Sequence, residues 1–360
     1  MEDFKLTAGR GQKTVLEQSV LVDLSQVATL MIHIAMQTQV MQPLNIGMMR
    51  GRNQTEVKDF ILHGLSINEG PQITLFMLFL VVYTLTLVGN IMIIMLVWSS
   101  ASLHKPMYIL LGNLSFVEIW YTTSTVPKML FGFLSENNYI SFVGCFLQYF
   151  FFFSLGTTEC FLLTVMGYDR YLAICQPLRY NMLMSSRICS SLASSCWIAG
   201  FVWSVVPISL ISQLPFCGDN EIDHFLCDTG PLLELSCVRD FATEVTTSVS
   251  ISFALLVTFS FTCISYIFII QTILRIPSSS GRRKAFSTCA SHLTVVSMFF
   301  GCAMYMYIRP SGNHPFNVDK LVAVLYTIVT PLLNPLIYSL RNKEFVDAMK
   351  KVIKLTSLKN

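Results

Sequence analysis

Charge is scarce in this chain. Only 12% of its 360 residues are Asp, Glu, Lys or Arg, against about 25% in soluble domains. With 53% hydrophobic residues and a mean hydropathy of +0.58, that scarcity excludes a water-soluble globular protein and points to a polytopic membrane protein. The charge that exists sums to +3 and is scattered, so a nucleic-acid-binding face is excluded. No pair among the 11 Cys has the close spacing of zinc ligands. Gly-rich phosphate loops, nucleophile elbows and metal-binding helix motifs are missing too, which argues against an enzyme. A secretory signal is also lacking: the apolar patch Ala28 to Met36 is short and interrupted by His33.

What the chain has is long apolar runs. Seven meet the span requirement of about 20 residues, over 73–98, 107–131, 142–172, 190–212, 243–274, 285–308 and 318–340. Residues 341–355 then form an amphipathic stretch, with Phe345, Val346, Met349, Val352 and Ile353 opposite Lys343, Lys350, Lys351 and Lys354. It suits a helix lying on an anionic membrane surface. Basic residues set the orientation. His104, Lys105, Arg179, Arg187, Arg282, Arg283 and Lys284 follow spans 1, 3 and 5, while Glu136, Asp219, Glu221, Asp223, Asp228 and Glu234 lie on the other side. The first end is therefore expected outside and the tail in the cytosol. Residues 1–72 are expected to be a disordered extracellular tail, 73–340 the membrane domain, and 341–360 a cytoplasmic helix and tail. Asn53-Gln54-Thr55 is a glycosylation sequon in the outer compartment.

Several constellations carry chemistry. Cys217, Cys227 and Cys237 lie in the outer loop after span 4, and Cys145 opens span 3 on the same side. Four thiols in an oxidising space favour two disulfides, in any of three pairings. Glu118 and Glu159 sit mid-span, where a charge costs about 2.5–3.5 kcal/mol on insertion scales. Both should point inward, with Asn90 and Asn334 at comparable depth. Together they could hold a sodium ion, share one proton, or form a polar network that fixes helix register. Asp169-Arg170 ends span 3 as an ionic latch or as a pair of snorkelling charges. Pro331 and Pro335 kink span 7 and project Tyr338 toward Arg170. In the outer half, Phe151, Phe152, Phe153, Gly156 and Thr157 of span 3 and Phe300, Ala303, Met304 and Tyr307 of span 6 mix small, aromatic and hydroxyl groups as ligand pockets do. Such aromatic stripes are more often lipid-facing or core. The outer half of span 3 carries no acid, which disfavours a cationic amine ligand.

Six stretches together resemble the odorant receptors of the rhodopsin-like G-protein-coupled receptors, over about residues 53–355. They are Gly89-Asn90, Pro106-Met107-Tyr108, Leu114 to Glu118, Met166 to Pro177, Lys284 to Leu293, and Pro331 to Tyr338 followed by Arg341-Asn342. The resemblance implies a seven-helix bundle with bonds Cys145–Cys227 and Cys217–Cys237, and a glycan at Asn53. It places odorant binding at Phe152, Phe153, Gly156, Thr157, Ser250, Ala303, Met304 and Tyr307. It assigns the activation switch to Asp169, Arg170, Tyr266, His292, Phe300, Asn334, Pro335 and Tyr338. The implied partners are a small volatile odorant, membrane lipid and a stimulatory G protein of olfactory type; no cofactor is implied beyond a candidate sodium ion at Glu118 and Glu159. The runner-up readings are a receptor for a non-volatile metabolite outside the nose and an ion-coupled transporter or channel. The latter is opposed by the absence of an inverted repeat or matched broken helices.

Three departures stand out. Glu118 stands where the family usually has Asp, and Phe299-Phe300-Gly301 stands where it usually has Phe-Tyr-Gly. The first 50 residues exceed the family's usual length and are expected to be an alternative upstream start. A chain begun at Met48 should therefore traffic and signal normally, checked by surface labelling and cyclic-AMP output.

Overall fold

In hydrocarbon, a backbone can satisfy its polar groups only within its own helix, so each apolar run becomes one. The computed structural model describes residues 57–65, 72–135, 138–216, 220–308, 316–340 and 343–357. In order, the elements are strand β1 (Asp59–Leu62), helices α1 (Gln72–Ser99) and α2 (Pro106–Leu134), strand β2 (Tyr139–Ser141), and helices α3 (Phe142–Cys175), α4 (Pro177–Leu183) and α5 (Ser186–Ser212). Then come strand β3 (Glu221–Ile222) and helices α6 (Thr229–Glu234), α7 (Phe241–Leu274), α8 (Ser279–Tyr307) and α9 (Phe316–Val324). A π-helical turn, Leu325–Val329, leads into α10 (Thr330–Leu340), and α11 is Lys343–Ser357.

Among the described residues, six helices have the length and composition to cross a membrane, Val318–Ile337 being the last of them. The seventh span is α2, 29 residues long, with Glu118, Lys128 and several hydroxyls diluting its apolar character. The bundle packs α1 on α2, α2 on α3, α3 on α5 and α7, and α10 back on α1. Apolar residues such as Leu78, Val81, Leu85, Val202 and Ile264 remain exposed on its outside, as a lipid-facing surface requires.

The end holding the outer-loop cysteines is closed by a lid. Cys145, in the first turn of α3, is bonded to Cys227. Cys237 is also disulfide-bonded, whereas Cys217 and Asn53 lie outside the described residues. Ahead of the first span, within the stretch expected to be a tail, β1 pairs antiparallel with β2 and parallel with β3. Phe60 on β1 is fully buried, with ring contacts to Phe142 and Phe216 at 5.9 and 5.6 Å. The lid also holds Lys320 on Asp223 at 2.6 Å. Burial, and then the Lys320 ammonium, bring the neighbouring His224 down to about 4, so this imidazole is neutral at physiological pH.

At the opposite, basic end, α11 is stapled to the turn between α1 and α2. Lys105 Nζ donates to Glu344 at 2.7 Å and Tyr108 Oη at 3.2 Å, which holds the Glu344 carboxyl below its ordinary range. Beside it Phe345 is fully buried. In α10, Pro335 lacks an N–H and leaves the carbonyl four residues earlier without its helical donor. Asn90 Nδ2 supplies that donor to Pro331 O at 3.3 Å. A paired asparagine and proline thus tie α1 to α10.

Candidate functional site

Under the lid lies a small, mostly apolar cavity of about 50 Å³. Of the residues expected there, Phe152, Phe153, Gly156, Thr157, Ala303 and Tyr307 line it. Ser250 and Met304 are not in its wall. Tyr121, Cys160, Ile251, Ala254, Leu255, Phe299 and Tyr326 complete the lining. On α7 the buried positions include Thr247, Ile251, Ala254, Leu255 and Thr258, spaced three and four apart as one helical face requires. Ser250 sits one residue off that face; the period alone could have selected Ile251 instead.

Three rings run in sequence along one side. Tyr121 stacks on Phe152 at 4.9 Å, and Phe152 tilts against Tyr326 at 6.1 Å. Tyr326 is carried by the π-helical turn. Thr157 Oγ1 donates to its own backbone at Phe153 O, 2.8 Å away. Tyr307 Oη donates to both carboxylate oxygens of Asp228, at 3.1 and 3.0 Å, and lies 3.0 Å from Tyr326 Oη. Asp228 also accepts from Thr229 N at 2.7 Å as cap of α6. Burial pushes its carboxyl up to about 6, which leaves it ionised at physiological pH. The lid thus reaches the cavity through one carboxylate.

Deeper in the bundle, Glu118 and Glu159 are both buried and close enough to repel each other. Asn334 Nδ2 donates to Glu118 Oε1. Glu118 Oε2, both Glu159 oxygens, Asn90 Oδ1, Asn334 Oδ1 and Ser154 Oγ are buried without a partner. No cluster of three His, Cys, Asp or Glu exists among the described residues, so any cation here would take amide and hydroxyl oxygens as well.

At the basic end, Arg170 Nε lies 3.8 Å from Asp169 Oδ2, beyond hydrogen-bond reach. Tyr180 Oη from α4 donates to Asp169 Oδ1 at 2.8 Å. Arg170 Nη2 is buried without a partner. Tyr266 Oη meets His292 Nδ1 at 2.7 Å, linking α7 to α8. Both cross Gly167 on α3, where a Cβ would find Thr262 and His292 at 3.6 and 3.7 Å. Phe300 is fully buried, against Phe259 at 5.5 Å. The Tyr338 side chain lies outside those described.

A family model described as olfactory receptor matches residues 79–355. The chain belongs to the olfactory receptor family. Human olfactory receptor 11G2 is 53% identical over 299 residues, covering 83% of this chain and 87% of that one. Human olfactory receptor 11H6 is 51% identical over 311 residues, 86% of this chain and 94% of that one. Mouse olfactory receptor 6B9 is 48% identical over 301 residues, 84% and 95%. As an olfactory receptor, the protein is a seven-helix, multi-pass plasma-membrane receptor of the G-protein-coupled class and not an enzyme. The family implies an odorant ligand and a G protein as partners. In this olfactory receptor the cavity below the lid and the Asp169–Arg170 pair at the basic end are separate, joined by α3, α7 and α8.

Proposed function

We propose that the receptor takes a small apolar volatile into the cavity beneath the lid and thereby activates a stimulatory G protein of olfactory type, raising cyclic AMP. In this reading the lid faces outward and α11 lies on the cytoplasmic surface. The observation that carries it is the cavity itself: walled by rings and aliphatic chains, and about 50 Å³ in volume. Pockets that hold drug-sized ligands run to about 300–1,000 Å³, so an odorant enters only if the lining parts. A guest that fits only the parted arrangement favours that arrangement by its differential affinity. Because α3, α7 and α8 all line the cavity and all carry latch residues, their displacement loosens Arg170, Tyr266 and His292 and opens a cleft for the G-protein α subunit.

The buried oxygens around Glu118 and Glu159 suit a hard cation, which takes oxygen donors only. Sodium would quiet the repulsion between the two carboxylates there; a shared proton would do so equally. Either tie would hold the resting arrangement.

The test is a chemically diverse volatile panel on transfected cells, read as cyclic AMP, with and without the stimulatory α subunit. At least one volatile should give a saturable rise that vanishes without that subunit. No response across the panel from a receptor verified at the surface, or a response that persists without the subunit, overturns the reading.

A further inference from the structure

The hydrogens of the cavity's phenols are countable, and the count has a direction. A phenol carries one donor hydrogen and acceptor lone pairs. Tyr307 commits its hydrogen to Asp228, at 3.1 and 3.0 Å. The 3.0 Å contact between Tyr307 and Tyr326 must therefore be Tyr326 donating. With its hydrogen spent on Tyr307, Tyr326 has only its oxygen lone pair left for a guest. Thr157 is in the same state, its hydrogen held by Phe153 O at 2.8 Å. Asp228 also accepts from Thr229 N at 2.7 Å, and as the acceptor at the end of the relay it fixes the direction of the whole. The remaining phenol, Tyr121, has no hydrogen-bond partner among the described residues and can both donate and accept.

Resting on the odorant-receptor reading above, we propose that the receptor selects small odorants carrying a hydroxyl, alcohols or phenols, over ethers and carbonyl compounds of the same skeleton. The hydroxyl donates to Tyr326, and its oxygen accepts from Tyr121. A carbonyl can use Tyr121 alone, because the other two hydrogens are already held. An ether has the same handicap and more bulk at its oxygen. Tyr326 is the specificity residue, and Asp228, acting through Tyr307, is the positioning residue that keeps it an acceptor.

The experiment uses the full receptor in cells and reads half-maximal concentrations for cyclic AMP. The probes are the primary alcohols from butanol to octanol, each beside its aldehyde and methyl ether. The alcohol should be more potent than its ether and aldehyde by about tenfold, the size of one neutral hydrogen bond. Tyr326→Phe should collapse that ratio toward one. Tyr307→Phe should do more: it returns the Tyr326 hydrogen to the cavity, so the aldehyde should gain on the alcohol. A merely structural role for Tyr307 would weaken all three probes alike. Ethers or aldehydes matching alcohols in the unmodified receptor, or a ratio that survives Tyr326→Phe at normal surface level, overturns the proposal and leaves the odorant reading standing. Silence from all probes while other volatiles respond also overturns only this proposal; silence across every volatile sinks both.

Discussion

Arg170→Ala is expected to bring the agonist-evoked cyclic-AMP response down to that of cells without the receptor, with the protein still at the surface. The guanidinium is poorly served where it rests. Its Nε is 3.8 Å from Asp169, and its Nη2 is buried with no acceptor. Asp169 meanwhile receives a good bond from Tyr180. An unpaired buried donor costs roughly 1–3 kcal/mol, and a hydrogen bond to a charged group gives about 1.5–3 kcal/mol when made. The arrangement that offers Arg170 new acceptors therefore gains what the resting one withholds. Truncation to Ala removes that gain, shifting the balance against the active arrangement by roughly 10- to 100-fold, and removes the resting burden as well. Folding should accordingly survive. Surface immunostaining and cyclic AMP measured in the same cells check both halves, and a mutant that signals normally takes Arg170 out of the mechanism.

The second large effect is on assembly. Gly200→Ala should prevent the receptor from reaching the surface. A Cβ on Gly200 would lie 2.1 Å from Thr158 Oγ1, 2.9 Å from Thr158 N and 3.0 Å from Ser154 O. The hydroxyl could turn, but the other two atoms are the backbone of α3. Without a hydrophobic drive between helices in lipid, close backbone approach at small residues is what holds them together. Ala193, Cys196, Gly200 and Ser204 form that small-residue face on α5. Forcing the helices apart there should cost about 1–3 kcal/mol or more, large against a marginal stability of about 5–15 kcal/mol. Gly301→Ala is the control: nothing lies within 4 Å of its Cβ position, so its surface level should match the unmodified receptor. Equal surface levels for both variants would remove the close-contact argument.

Much of the fold is written locally. Hydropathy reports where a helix must be buried in lipid, so span 1 is read as 73–98 and found as Gln72–Ser99. It does not report where a helix ends in water. Span 6, read from 285, begins at Ser279 because the turn from Ser279 to Lys284 is polar yet helical, capped by Ser278 on Gly281 N. The strand at Asp59–Leu62 left no such trace, since four residues become a strand only when β2 and β3 are beside them. The cavity divides the same way. Phe152, Gly156 and Ala303 follow from the pattern within one helix. Tyr121 and Tyr326 come from α2 and the π-helical turn, and their place depends on how separate helices dock. Asp228 could be read as an outer-loop acid, but nothing in its neighbours signals that it would be folded inward onto Tyr307.

The three-stranded sheet bears on how the protein is made. Ile61 pairs with Glu221, and the spans α1, α2, α3 and α5 lie between them in the chain. During synthesis the earliest strand must wait, one edge bare, until the fourth hydrophobic segment has been threaded and the next loop released. A ribosome stalled before that point leaves an unpaired β-edge, a template for wrong pairing that the completed chain no longer offers.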